Sequence, residues 1–452
     1  MLRAALLLLS GNMAASGLLF ARNLAVAALI PVADYGIAAT FALAMAAVEM
    51  ASSFGLQQQI VQARDGDDPR LQDALTGFQL LRGVLASAVL LALADPIAAF
   101  FTIPEVAWAY RLLALVPLLN ALRHFDIHRF NRDDRFGPLV MTNTVPALAS
   151  FLAIWPLALW LGDWRVMLAA LLLHAALSTA LSHVVAERRW RPVVDRALWA
   201  RTLRFGWPIL LNALVLFTVF QVDKMAVGRI LGLAPLGVFA LAVTLTLTPA
   251  LVMANTIQTA ALPRLSRLPA ADLERPAART LTLCLAVGLA LALAGTVGGW
   301  LAAPWLAATG YAGLAPLLGP MAVVQGLRVA KTGTNVVALS QGMTANAILS
   351  NLPRVAALGL GIWVLLDGAD LLALVWLGAA GEALGLGISA LLVTVRAGVR
   401  WPLGPLILGA VGFGCTVLAV VGIPMLLVVA LLALGMLVWW QVGARFGHAG
   451  AT

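Results

Sequence analysis

The chain has 452 residues, of which 62% are hydrophobic and 11% are charged, and its formal net charge is +9 at pH 7. No soluble domain of this length buries that share of apolar residues in one core, so the composition predicts an all-α protein that crosses a membrane many times. Arginine in short cytoplasmic loops orients membrane helices, and this explains the positive charge better than a nucleic-acid partner does.

About fourteen segments are long and apolar enough to span a membrane, since a spanning helix needs about 20 mostly apolar residues. The predicted spans are 4–30, 34–60, 74–98, 104–125, 139–161, 164–186, 203–228, 234–262, 278–303, 313–339, 344–366, 370–395, 402–421 and 423–443. The loops between them are too short to hold a folded soluble domain.

The arginines in these loops support the count of spans. With the N-terminus inside, twenty arginines fall at cytoplasmic ends, whereas Arg165 and Arg229 fall at the opposite ends. The positive-inside rule expects this asymmetry. It predicts a multi-pass membrane protein with both termini in the cytoplasm.

The stretch Leu24–Ala44 recurs in weaker form 201 positions later, as Met225–Leu245. Each copy ends one apolar segment, makes a short turn and begins another, and Gly36 of the first copy corresponds to Gly237 of the second. Parallel repeats in membrane transporters place a substrate site between two halves of the chain. We therefore expect two related lobes with a site between them.

The expected lobes each contain six helices and are related by a pseudo-two-fold axis. The longest basic connector lies near the middle of the first twelve spans and marks the joint between them. The predicted divisions are an N-terminal lobe at 1–190, a cytoplasmic loop at 191–200, a second lobe at 201–398, and two accessory transmembrane helices with a short tail at 399–452.

Apart from charges near the span ends that belong with the loops, ten charged groups are counted inside the predicted spans. The basic ones are Arg22, Arg82, Arg111, Lys224, Arg328, Lys331 and Arg354, and the acidic ones are Glu49, Asp223 and Glu382. A charge at the centre of a membrane helix costs about 2.5–3.5 kcal/mol, so most of these groups are expected to face protein or a water-filled cavity. The excess of bases favours an anion, and arginine suits phosphate or pyrophosphate oxygens.

Three of these groups allow more than one interpretation. Asp223 is either a coupling group or a local charge partner of Lys224, and Glu49 is either a structural partner of Arg82 or an ion-coupling carboxylate. Arg22, near a span end, either lines the cavity or reaches the lipid headgroups. The cations without an acid near them in sequence are Arg328, Lys331 and Arg354, and these are expected to contact an anion.

Polar residues recur at helical spacing in several spans, which predicts polar helix faces. The second span carries Glu49, Ser52, Ser53 and Gln57, the tenth carries Gln325, Arg328, Lys331 and Asn335, and further polar positions are Asn12 in the first span and Thr248 and Asn255 in the eighth. Such faces occur in both expected lobes and predict one central hydrophilic cavity between them.

Signals of catalysis or of a cofactor are absent from the sequence. The five histidines make no metal-ligand spacing, the two cysteines lie in apolar runs, and there is no phosphate-binding Gly–Lys–Ser/Thr loop. We therefore expect no enzymatic activity, no metal and no cofactor.

Two stretches of the chain resemble the oligosaccharide and polysaccharide flippases of the multidrug/oligosaccharidyl-lipid/polysaccharide (MOP) exporter superfamily. The first is SGNMAASGLLFARNLAVAALIPVADYGIAATFALAMAAVEMASSFGLQQQIVQ, near the N-terminus. The second is LRFGWPILLNALVLFTVFQVDKMAVGRILGLAPLGVFALAVTLTLTPALVMANTIQTAALPRLSR, with that family's Phe-Gly-x-Pro entry, its Asp in the seventh helix, its Gly-x-(Tyr/Phe)-Ala-x-Ala run and its closing Pro. The resemblance implies a MATE-like pair of six-helix lobes in a V shape that work by alternating access.

The resemblance implies a flippase that moves a polyprenyl-pyrophosphate-linked oligosaccharide or polysaccharide repeat unit for the synthesis of exopolysaccharide or lipopolysaccharide. The expected anion contacts are Arg82, Arg328, Lys331 and Arg354, with Glu49 and Asp223 in coupling or gating. Membrane lipids, a polysaccharide polymerase and assembly proteins are the expected partners of a monomer. A multidrug or cation antiporter of the same fold is the alternative, which the excess of bases disfavours.

Overall fold

The computed structural model describes residues 2–133, 135–269, 272–343 and 345–446, and within these ranges the chain is helical and contains no strand. The chain divides into two compact units, Met1–Gly237 and Val238–Thr452. The helices of the first unit are α1 (Leu2–Leu29), α2 (Val32–Ala51), α3 (Leu56–Gln62), α4 (Pro69–Phe100), α5 (Ala107–Leu113), α6 (Leu115–Leu122), α7 (Asp126–Arg132), α8 (Gly137–Leu152), α9 (Ile154–Leu161), α10 (Arg165–Val184) and α11 (Arg196–Ile230).

Helix α12 (Leu233–Leu265) begins in the first unit and continues into the second. The remaining helices are α13 (Glu274–Ala307), α14 (Leu314–Ser340), α15 (Ala345–Leu366), α16 (Leu371–Ala397), α17 (Leu403–Val421) and α18 (Leu426–Phe446). Helix α11 therefore packs with the first unit, whereas the sequence placed it in the second lobe. The predicted lobe boundaries stay a prediction.

The fold confirms an all-α polytopic membrane protein. Among the described residues, 12 helical segments are long and apolar enough to cross a membrane. The other two predicted spans coincide with α14, a helix of 27 residues that carries Arg328 and Lys331, and with α18, whose apolar part is Leu426–Val442. Each of the fourteen predicted spans thus corresponds to a helical segment.

The second predicted span is interrupted, and this corrects one expected helix face. Helix α2 ends at Ala51, and Gly55 has φ +63°, a left-handed conformation that L side chains rarely adopt. Helix α3 then starts at Leu56, so Gln57 does not continue the face that begins at Glu49. The prediction of one continuous polar face was wrong because α2 ends at Ala51 and the chain is not helical again until Leu56.

The two glycines that correspond in the sequence repeat meet in the first unit. A methyl group added to Gly36 would collide with the carbonyl oxygen of Leu233, and one added to Gly237 would collide with the carbonyl oxygen of Val32. Each repeat therefore places a glycine where the backbone of the other repeat passes closely. This contact gives a physical reason for glycine at both positions.

The core of the first unit forms around α2, α5 and α10. Phe41 and Tyr110 are fully buried and pack edge to face with ring centroids 5.2 Å apart, while the Tyr110 hydroxyl lies 2.5 Å from Thr40 Oγ1. In the second unit, α13 and α14 approach closely at Gly288 and Gly326, where a methyl group on either residue would collide with the other's carbonyl oxygen. These contacts fix the helices that carry the polar groups described next.

Candidate functional site

A polar cavity of about 300 Å³ lies within the first unit, where α2, α3, α4 and α6 come together. Its walls carry charged, amide and imidazole side chains in the middle of otherwise apolar helices. The lining residues are Val48, Glu49, Ser52, Ser53, Gln57, Gln79, Arg82, Gly83, Ala86, Pro117, Asn120, Arg123, His124 and His128. Three predicted site residues, Glu49, Gln57 and Arg82, therefore share one cavity, although Gln57 reaches it from α3 rather than from the helix of Glu49.

The two arginines of this cavity are bonded to neutral oxygens. Arg82 Nη1 donates to the carbonyl oxygen of Ser52 at 3.0 Å, and Arg123 Nη2 donates to Asn143 Oδ1 at 3.3 Å. Both Nε atoms are buried without a hydrogen-bond partner among the described residues. A buried donor without a partner costs about 1–3 kcal/mol, so neither guanidinium group has all of its hydrogen bonds satisfied by described residues.

Glu49 is exposed to the cavity and lies near both arginines without a direct contact. Its charge interacts with those of Arg82 and Arg123, but within the described residues neither arginine forms an ion pair with it. Both interpretations of Glu49, as a structural partner of Arg82 and as an ion-coupling carboxylate, stay predictions, since the two charges interact without a direct ion pair. With two arginines and one glutamate, the cavity carries a net positive charge.

Two histidines beside the cavity are neutral at pH 7. Burial and, to a smaller extent, the positive charge of Arg123 lower the pKa of His128 to about 3. Burial also lowers the pKa of His124, although Asp126 acts in the opposite direction. Neutral imidazoles supply hydrogen bonds but no charge, so the two arginines account for the positive charge of the lining.

The sequence analysis missed Arg123 and Asn120 as members of this site. It counted Arg123 among the topology-setting arginines of a cytoplasmic loop, but α6 ends at Leu122 and the chain turns back so that Arg123 lines the cavity. Gln79 Nε2 bonds the carbonyl oxygens of Ala121 and Arg123, each at 3.0 Å, and holds that turn in place. The spacing of Asn120 and Arg123, three residues apart, is the sequence signal that could have indicated this face.

A second charged cluster lies within the second unit, where α14, α15 and α16 meet. Glu382 is 1% exposed, and its Oε1 accepts from Arg328 Nε at 3.0 Å and from Arg328 Nη2 at 2.8 Å. Its Oε2 accepts from Lys331 Nζ at 2.6 Å. These two cations have no acid near them in sequence, and the fold brings Glu382 to them from 51 and 54 residues away.

The cluster keeps an excess of positive charge. Arg354 is buried and its charge also acts on Glu382, so three cations surround one carboxylate. Gln325 Oε1 accepts from Arg328 Nη1 at 2.9 Å, and Asn351 Oδ1 accepts from Lys331 Nζ at 2.8 Å. The structure thus joins Gln325, Arg328, Lys331 and Arg354 in one cluster.

A network of uncharged polar side chains also connects α14, α15 and α16. Asn335 Oδ1 accepts from Asn346 Nδ2 and from Ser389 Oγ, each at 3.0 Å, and Thr334 Oγ1 donates to Ser389 Oγ at 2.7 Å. Asn335, expected to line the cavity, is therefore part of a helix-packing network. Buried polar groups that satisfy one another in this way hold helices in one arrangement.

The remaining predicted site residues are dispersed. Asn12 and Asn255 are exposed and Thr248 is half-buried. Asp223 is 7% exposed, and its Oδ1 accepts from the backbone N–H of Lys224 at 2.8 Å. Arg22 is also only 7% exposed, so the expectation that it reaches lipid headgroups is not met. Whether the two charged sets line one gap stays a prediction.

The chain is similar in sequence to proteins of polysaccharide biosynthesis. The sequence profile of a family described as polysaccharide biosynthesis protein matches residues 25–287. The amylovoran biosynthesis protein AmsL of Erwinia amylovora is 28% identical over 199 residues, which cover 43% of this chain and 50% of that protein. The chain thus spans about half the length of this curated relative.

The fold is similar to two kinds of solved transporter. The lipid II flippase MurJ, in an inward closed conformation, superposes with a TM-score of 0.70 at 11% identity, covering 96% of this chain and 98% of that chain. An inward-facing MATE-family multidrug resistance transporter of the MOP superfamily gives a TM-score of 0.68 at 16% identity, covering 85% of this chain and 94% of that chain. These likenesses confirm the predicted MOP fold.

Proposed function

Because this chain belongs to the family of polysaccharide biosynthesis proteins, we propose that it is a flippase for a polyprenyl-pyrophosphate-linked oligosaccharide or polysaccharide repeat unit. The proposed transport proceeds by alternating access across the inner membrane, with both termini in the cytoplasm. A polysaccharide polymerase and assembly proteins would use the exported unit.

The observation that supports this proposal is the cavity of the first unit, where Arg82 of α4 and Arg123 at the end of α6 form no direct ion pair with an acid among the described residues. Such a site favours a ligand with several anionic oxygens, because a guanidinium group offers parallel N–H donors that match phosphate. The amides of Gln57, Gln79 and Asn120 provide donors and acceptors for sugar hydroxyls. The cavity therefore suits a phosphorylated sugar better than a cationic drug.

The cluster of the second unit has a secondary role in this proposal. Arg328 and Lys331 would have to leave Glu382 before they bind a pyrophosphate, since each already donates to that carboxylate. We assign the first anion contact to Arg82 and Arg123, and a later contact to Arg328, Lys331 and Arg354. Glu49 is assigned to coupling or gating, because it faces the cavity without a direct ion pair among the described residues.

The test is export in cells that lack the chromosomal gene and carry a plasmid copy. Arg82→Gln and Arg123→Gln are expected to reduce surface polysaccharide about tenfold or more, because each removes a charge-assisted phosphate contact worth about 1.5–3 kcal/mol. Arg111→Gln is the matched control, since Arg111 is an exposed arginine of the same unit that bonds Asp95 at 2.8 Å. Membrane protein levels are compared by immunoblot.

Normal polysaccharide in the Arg82→Gln/Arg123→Gln double variant, at the wild-type protein level, contradicts the proposed site. The antiporter alternative predicts a different result. In that case deletion of the gene lowers resistance to cationic drugs and leaves the surface polysaccharide unchanged.

A further inference from the structure

Helix α4 presents two adjacent faces to two different cavities. One face contributes Gln79, Arg82, Gly83 and Ala86 to the polar cavity. The other face borders an apolar groove of about 390 Å³, whose remaining walls come from the end of α2 and the start of α11. The groove is lined by Val48, Ala51, Ser52, Phe54, Phe78, Leu81, Arg82, Leu85, Ala86, Val89, Trp199 and Leu203.

The groove is aromatic at one end and open along its side. Phe78 packs edge to face against Phe54 and Trp199, with centroid distances of 5.5 Å and 5.9 Å. From there the lining follows α4 to Val89, a distance of about 16 Å at the rise of an α-helix. Leu85 and Val89 are 56% and 53% exposed, so the groove is accessible to lipid along this side.

Arg82 lies at the boundary between the groove and the polar cavity, and it lines both. Among the residues that line the groove, all of them described, Arg82 is the one with a charge. Its Nη1 is held by the carbonyl oxygen of Ser52, which also borders both spaces, and its Nε has no partner among the described residues. A cation thus stands where an apolar groove meets a polar cavity.

Arg82 lies within α4 rather than at its end. It is 13 residues from Pro69, the first residue of α4, which corresponds to about 20 Å along the helix axis.

We infer that the groove formed by α2, α4 and α11 holds the polyprenyl tail of the substrate, with the tail's phosphate at Arg82 and its sugars in the polar cavity. This inference rests on the proposed function and deepens it. The apolar walls remove the tail from the water of the cavity, while the guanidinium group fixes the point where tail and head group meet. The exposed side of the groove is then the path by which the tail stays in contact with lipid.

The experiment measures binding to the purified full chain through the ligand-induced rise in its thermal unfolding midpoint, since a ligand that binds the folded state stabilises it. The probes are undecaprenyl phosphate and undecaprenol, which differ in the phosphate. Leu85→Trp and Val89→Trp fill the groove. Leu91→Trp is the matched control, because Leu91 is a 52% exposed leucine of α4 that does not line the groove.

Both groove variants are expected to bind undecaprenyl phosphate about tenfold more weakly than wild type, as expected for a loss of about 1.4 kcal/mol of apolar contact. Leu91→Trp is expected to bind like wild type. Wild type is expected to prefer the phosphate to the alcohol, and Arg82→Gln to lose that preference.

The other outcomes overturn the inference in distinguishable ways. Equal binding by Leu85→Trp, Val89→Trp and Leu91→Trp rules out the groove but leaves the proposed function standing. Equal affinity of wild type for phosphate and alcohol, or a phosphate preference retained in Arg82→Gln, rules out Arg82 as the contact. If wild type binds neither probe, this inference is wrong, whereas the proposed function is decided by the export assay.

Discussion

Replacement of Glu382 by glutamine tests how the second unit tolerates its buried charges. Glu382 is 1% exposed and accepts hydrogen bonds from Arg328 and Lys331 at 2.6–3.0 Å. The substitution keeps the shape of the side chain but removes its charge. Without that charge, this region keeps three positive charges that have no counter-charge. The new amide group also places a donor against one of the two cations.

The expected loss of stability is about 3–5 kcal/mol, because removing one partner of a buried ion pair leaves an uncompensated buried charge. Glu49→Gln is the matched control, since it makes the same chemical change in the first unit. Glu49 is exposed to its cavity and forms no direct ion pair in the described part of the chain. Its expected effect is about 0–1 kcal/mol. The difference between the two losses of stability measures the contribution of the ion pairing itself.

The assay is the temperature at which the purified protein loses its monodisperse peak in size-exclusion chromatography, compared at one heating rate because unfolding of membrane proteins is irreversible. A second substitution, Lys331→Met, is expected to recover part of the loss in Glu382→Gln, because it removes one of the unbalanced cations. If Glu382→Gln unfolds at no lower temperature than Glu49→Gln, the cluster does not stabilise the second unit and the argument fails.

Three further outcomes are expected in the first unit. Because burial lowers the pKa of His128 to about 3, the folded protein resists protonation there, so its stability is highest above pH 6.5 and falls as the pH drops towards 3. His128→Gln should make the thermal unfolding midpoint depend less on pH over that range, and an unchanged pH dependence contradicts this. Gly36→Ala should cost about 1–3 kcal/mol through overpacking, whereas Gly17→Ala, with open space around it, should not destabilise; equal midpoints would refute the close contact. Arg201→Gln, which breaks an exposed pair, should cost about 0–1 kcal/mol, and Asp126→Asn, which removes a fully buried carboxylate, should cost more in the same assay.

The sequence predicted the membrane architecture well because hydropathy and loop charge are local properties. Each of the fourteen predicted spans corresponds to a helical segment, and the correspondence of Gly36 with Gly237 coincides with a close backbone contact. The errors arose where a short non-helical segment changes the path of the chain. The residues between Ala51 and Leu56 interrupt the second span, and the turn after Leu122 carries Arg123 from an expected loop into the cavity wall.

By itself the sequence determined which charges enter the membrane, since a span is recognised from about 20 consecutive residues and its polar positions can be read from that stretch. Only the tertiary structure decided which of those charges are neutralised. Arg328 and Lys331 meet Glu382 across 54 and 51 residues, while Arg82 meets a carbonyl oxygen and the border of an apolar groove. Electrostatic pairing depends on distances in space, and helix packing sets those distances between groups far apart in the chain.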